Sequence, residues 1–177
     1  MLSSIWMRDR NQVIDRFARL CELAKPLGLT VNLEFVSSTE WSTLEGALDV
    51  VTSCGRDNVG IMIDTLHFHR GRIPIQQLDG VPASWVNYVH VCDDRADVPA
   101  SIDDARRTMR EERLYPGEGA VDIAGILDRL PPSLICAIEL PHRQRLHELG
   151  PDRFARTCLE RTKQYLGIAE APDLEHH

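Results

Sequence analysis

The chain has 177 residues, 43% of them hydrophobic, and a formal net charge of -7. That length and composition suit a single domain, over residues 1–170, with one sizeable core and no bias toward disorder. The acidity argues against a nonspecific polyanion binder, and no apolar run approaches the roughly 18 to 20 residues of a membrane span.

Residues 9–27 carry apolar side chains at Val13, Ile14, Phe17, Leu20, Cys21 and Leu23, an amphipathic helix with Gly28 as its stop. LTVNLEF at 29–35 follows as a strand. Residues 42–54 read as a second helix, with Ser42 as N-cap and Glu45 closing a capping box. VGIMIDT at 59–65 and WVNYVHVCD at 85–93 are the next strands. The charged stretch 102–113 is a solvated helix or an active-site excursion, and PGEG at 116–119 is a tight turn in which Gly117 and Gly119 permit positive φ. Asp122 caps a helix through Leu130, LICAIELP at 134–141 is the last strand, and Asp152 caps a final helix through Leu166.

The four strands are nearly continuously apolar and rich in β-branched residues, the pattern of parallel strands covered on both faces. Alternation with helices implies right-handed βαβ units. Four parallel strands in barrel order leave an open strand at each end, so the expected fold is a partial TIM barrel completed by missing sequence or by another copy of the chain. An open doubly wound sheet is the alternative. Cys21, Cys54, Cys92, Cys136 and Cys158 are scattered without close pairs and read as reduced thiols. The opening MLSSIWMRDR has no signal-peptide apolar region, so a cytoplasmic protein is expected. LEHH at 174–177 reads as a purification-tag remnant, which leaves five histidines for chemistry.

Each strand closes on a group able to bind metal: Glu34, Asp64, His90 and Glu139. In an α/β fold these lie at the carboxyl edge of the sheet, where sites are assembled. Taken one at a time they have plain structural readings: Glu34 or Glu139 paired with an arginine, Asp64 capping a turn, His90 hydrogen-bonded in the core. Taken together, three carboxylates and an imidazole would repel unless a cation sat among them. Three oxygen donors and one nitrogen favour one divalent ion, Mn²⁺, Mg²⁺ or Co²⁺, with Zn²⁺ also compatible.

LEF with Glu34, IDTLHFHR with Asp64 and His67, YVHVCDDR with His90 and Arg95, YPGEGAVD at 115–122 and AIELP with Glu139 together resemble the xylose isomerase-like TIM-barrel superfamily, the sugar phosphate isomerases and epimerases. The matched motifs belong to the last four of about eight β/α units. The resemblance implies that Glu34, Asp64, His90 and Glu139 bind the metal. It also implies that His67 contacts substrate or stands behind the metal ligands, and that Arg95 orients the substrate. The implied activity is isomerisation or epimerisation of a sugar, sugar phosphate or related hydroxy-carbonyl compound. Glu34, Glu139 and His67 would move protons next to a metal-polarised carbonyl.

The nearest alternative is a dehydratase of a cyclic polyol or keto acid, of the dehydroshikimate or inosose type. A non-catalytic half-barrel remnant and an endonuclease IV-like nuclease are further readings, the last disfavoured by few histidines and negative charge. His69 and Arg70 are expected in a solvated loop, where they could meet a phosphate, and Arg95 in a surface pair with Asp93 or Asp94. Glu118 could orient the site. Copies of the chain are expected to associate through the open strands.

Overall fold

The computed structural model describes residues 2–4 and 8–168. Five parallel strands form one sheet in the order β1 (Leu2–Ser4), β2 (Val31–Glu34), β3 (Val59–Asp64), β4 (Val86–Val91) and β5 (Ile135–Ile138). Sequential order with parallel pairing throughout is the topology of a barrel arc, not of a doubly wound sheet. β1 is an addition to the four expected strands. Its three residues are too short to show a period.

Every residue of β2 and β3 is buried, as their unbroken apolar runs require. Helices α1 (Arg10–Ala24), α2 (Leu44–Ser53) and α5 (Ile123–Asp128) help cover the outer face. Val13, Phe17 and Cys21 of α1 and Leu44, Ala47 and Val51 of α2 join Leu33, Ile61 and Val89 in the main core. A second core gathers Val36, Leu66, Cys92, Met109, Tyr115, Leu140, Phe154 and Cys158. It brings α4 (Ile102–Glu111) and α7 (Pro151–Tyr165) together near the carboxyl ends of the strands. Among the described residues β1 and β5 each pair on one side only, and Ile135 of β5 is 68% exposed.

Several local expectations change. α2 is capped by Thr43, whose hydroxyl accepts from Gly46 N at 3.1 Å, so the cap lies one residue beyond Ser42. α7 starts at Pro151 after Gly150. Proline needs no N–H partner at that position, and Asp152 sits inside the first turn, where its charge complements the helix dipole. The segment Thr65–Arg70 is a helix, α3, not a loop, and Arg143–Leu149 forms another, α6. Arg70 is buried and grips Asp94 through two bonds of 2.6 and 3.0 Å, so it is closed to a phosphate. Gly117 has φ +88, but Gly119 is not in the left-handed region. A Cβ on Gly119 would lie 2.1 Å from Asp94 O, so close approach sets that residue. No described helix is long and apolar enough to cross a membrane.

One irregularity positions the site. Between Ile61↔Val86 and Ile63↔Val89 the register of β3 and β4 slips by one residue, and Asp64 then faces His90. Were the register of Ile61↔Val86 continued without the slip, Asp64 would face Val89, whose side chain points to the other side of the sheet.

Candidate metal centre

Glu34, Asp64, His90 and Glu139 each offer one ligand atom, and these atoms all lie within 4.8 Å of one another. Strand position explains the convergence. Glu34 and Asp64 are the last residues of β2 and β3, His90 is the penultimate residue of β4, and Glu139 follows β5, with its N–H donating to Val91 O at 3.3 Å.

Asp64 is fully buried. Its Oδ1 accepts from Leu66 N at 2.8 Å and His67 N at 3.2 Å, which caps α3. Its Oδ2 accepts from Arg113 Nη1 at 2.7 Å. The cap reading therefore holds alongside the cluster, while the arginine expected at Glu34 or Glu139 bonds Asp64 and lies 3.1 Å from Glu139 Oε2. Burial alone would raise the Asp64 carboxyl, but Arg113 outweighs it and holds the group well below the usual carboxylate range. Glu34 has no such partner. Burial first, then the charges of Asp64 and Glu139, push it up to about 8.

His90 Nδ1 lies 2.9 Å from Glu139 Oε2, yet neither atom completes a hydrogen bond and both are buried. Burial lowers the His90 pKa, and the adjacent Glu139 carboxylate more than offsets it, leaving a net rise. Glu139 Oε2 also lies 3.1 Å from Arg113 Nη1, and a buried imidazole nitrogen and carboxylate oxygen that complete no hydrogen bond, beside a carboxylate that resists ionising, are what a cation would satisfy. The donor set fits a divalent ion.

His67 is buried beside the cluster, with Nε2 4.0 Å from Glu34 Oε1. Its Nδ1 accepts from Ser37 N at 3.3 Å and lies 3.0 Å from Ser37 Oγ. A backbone N–H can only donate, so the neutral ring carries its proton on Nε2 and turns that donor toward Glu34. Burial pushes His67 down to about 4, so the ring is neutral at pH 7.

Arg113 is the site residue that sequence reasoning missed. It is 3% exposed, and Nη1 also donates to Glu139 O at 3.1 Å while Nε donates to Met109 O at 2.9 Å. It stands 49 positions from Asp64. Asp93 holds its arm in place, its carboxylate accepting from Asp94 N, Gly117 N, Gly119 N and Val121 N at 2.8–3.0 Å. Arg95, by contrast, lies outside the cluster. It is exposed and bonds Glu112, not Asp93 or Asp94. Glu118 is drawn to Arg145 at 2.8 Å and to Tyr115 N at 3.2 Å, away from the four ligands.

A cavity of about 310 Å³ opens over the cluster. Glu34, His67, Arg113 and Glu139 line it together with Val36, Met109, Pro141 and Arg110.

Residues 6–161 match the xylose isomerase-like TIM barrel family. The chain belongs to that family. An inosose isomerase of Bacillus velezensis is 31% identical over 149 residues, 81% of this chain and 51% of the relative. A 3-dehydroshikimate dehydratase of Pseudomonas aeruginosa is 27% identical over 114 residues, 64% of this chain and 17% of the relative. The crystal structure of the IolI protein with a binding zinc atom superposes with a TM-score of 0.73 at 24% identity, covering 93% of this chain and 63% of that one. The chain thus spans about half the length of the inosose isomerases it matches. As a xylose isomerase-like domain it supplies five consecutive strands of the barrel and the cluster at their ends.

Proposed function

We propose that the chain is a divalent-metal-dependent isomerase or epimerase of a sugar-like hydroxy-carbonyl compound, with Glu34, Asp64, His90 and Glu139 as ligands. The carrying observation is the convergence of those four groups at the strand ends with the Nε2 donor of His67 turned toward them. Manganese, magnesium, cobalt and zinc all suit the donors. When bound, such an ion polarises a carbonyl and its neighbouring hydroxyl and thereby acidifies the adjacent C–H.

The rest of the chemistry falls to side chains of this chain. A carboxylate, Glu34 or Glu139, takes the carbon-bound proton, and the C–H electron pair becomes the enediol double bond. His67 Nε2–H donates to the substrate oxygen that gains charge. Return of the proton to the neighbouring carbon gives isomerisation, and return to the opposite face gives epimerisation. Asp64, committed to Arg113 and to the α3 cap, holds position and transfers no proton.

Similarity to a 3-dehydroshikimate dehydratase supports a second reading, in which the same enolisation is followed by loss of a β-hydroxyl as water. Metal analysis of purified protein, with and without Glu139→Gln, tests the ligand set. Incubation in D₂O with inosose, L-ribulose and 3-dehydroshikimate tests the chemistry. Deuterium at the carbon beside the carbonyl is expected, and water loss would move the assignment to dehydration. Metal-free protein whose stability ignores chelator, with no exchange in any substrate, would sink both readings in favour of a non-catalytic domain.

A further inference from the structure

Most arginines of α4, of the arm after it and of α6 are engaged with acids. Arg95 and Arg107 both reach Glu112, and Arg107 also bonds Asp104 at 2.6 Å. Arg143 faces Glu111 at 3.6 Å, and Arg145 faces Glu118 at 2.8 Å. Arg113 is committed to Asp64. Arg110 differs. Exposed near the end of α4, it lines the cavity that holds Glu34, His67 and Glu139, and it has no hydrogen bond or ion pair with any described residue. Its neighbours in sequence, Glu111 and Glu112, are already taken by other arginines.

Charge counting gives that guanidinium a role. Glu34, Asp64 and Glu139 supply three negative charges when ionised, and Arg113 with a divalent ion supplies three positive ones. Arg110 is then the charge left over on the cavity wall. Val36, Met109 and Pro141 line the same space, and their apolar surface strengthens any ionic contact made there. A cavity of about 310 Å³ suits a ligand of sugar size.

We propose that Arg110 is a specificity-determining residue that receives an anionic group, a carboxylate or a phosphate, carried by the substrate. The fork of a guanidinium matches either group bidentately. This inference rests on the reading of the cluster as a metal-dependent proton-transfer site, and it narrows the substrates to hydroxy-carbonyl compounds bearing a negative charge.

Calorimetric titration of the metal-loaded chain compares D-ribulose 5-phosphate with D-ribulose, and 3-dehydroshikimate with inosose. At least one anion is expected to bind roughly tenfold or more tightly than its neutral counterpart, the size of a charge-assisted hydrogen bond. Which pair shows the difference tells phosphate from carboxylate. Arg110→Gln should cost the preferred anion at least about tenfold and the neutral compound much less, with Arg110→Lys retaining part of the preference. Circular dichroism and metal content verify that each variant is folded and loaded. Failure of both anions to bind, or a preference that survives in Arg110→Gln, overturns the role of Arg110. Deuterium exchange on the same samples separates the two claims. Exchange without anion preference leaves the reaction standing and removes Arg110. Preference lost in Arg110→Gln without any exchange leaves Arg110 and removes the reaction.

Discussion

Arg113 Nη1 sits 2.7 Å from Asp64 Oδ2, in a space where both side chains are at most 3% exposed. The pair joins the end of β3 to the arm that follows α4. It keeps one carboxylate of the cluster ionised without any metal. Removing one member of a buried ion pair leaves the other charge uncompensated, so Arg113→Met should destabilise the chain by about 3–5 kcal/mol in denaturant unfolding. Metal affinity should fall roughly 10–100-fold in a competition titration, as for other partners of ligands. Unchanged affinity would show that Asp64 needs no such support.

His67 is assigned to substrate and not to the ion. His67→Gln is expected to keep stoichiometric metal while slowing deuterium exchange by roughly 10²–10⁴, the usual contribution of a general acid or base. Loss of metal in that variant would instead make His67 part of the ligand set.

The metal-free chain should lose stability as pH rises between 6.5 and 8. Glu34 holds its proton in the folded chain to about pH 8 but ionises near 4.5 when unfolded. Below 4.5 both states are protonated. Above it the unfolded state gives up its proton first, and stability drains away until the folded pKa is passed. His67 acts oppositely. Its folded pKa of about 4 lies below the ordinary 6.5, so its contribution grows with pH and is complete by 6.5. Thermal melts in chelator at pH 6.5, 7 and 8 therefore read the upper window, where the raised His90 adds a loss of the same sign, and Glu34→Gln should reduce the slope. Metal affinity should rise over the same range, because binding expels the Glu34 proton.

Asp93 fastens the turn that carries the arm. Replacing it with Ala abandons four backbone N–H donors, Val121 N among them in a buried contact, at a cost of about 3 kcal/mol or more by denaturant unfolding. Gly119→Ala should do comparable damage, because the new methyl would meet the Asp94 carbonyl. A wild-type melting curve for either variant would mean that the arm is held by other contacts.

The convergence of the four strand-end groups was legible because a strand that ends in a charged group announces its own geometry. Alternation and edge position place Glu34, Asp64, His90 and Glu139 with no knowledge of long-range contacts. Arg113 was not legible for the converse reason. It follows a run of mixed charge in which Arg106, Arg107, Arg110 and Arg113 look alike, and only the strap from Asp93 decides which turns inward. Spacing held one clue: Arg113 is four residues after the apolar Met109 of the second core and, just past the end of α4, its Nε reaches back to the Met109 carbonyl. α3 and α6, of six and seven residues, are too short to display a helical period. Arg95 was misplaced because its position in the sequence suggested proximity to His90, while the chain turns it outward to Glu112.

The slip between β3 and β4 makes site assembly a question of parity. Two faces of a strand alternate like odd and even numbers, and with Val86 opposite Ile61, His90 shares a face with Asp64 only because one surplus residue changes its count. Deleting Asn87 would restore an even ladder and leave His90 opposite Asp64, whereas inserting one more residue between Asn87 and His90 would turn the imidazole away from the carboxylates, though hydrophobic content would hardly change. A lineage could therefore lose this alignment through a single inserted codon, with no intermediate position for the histidine between cluster and core.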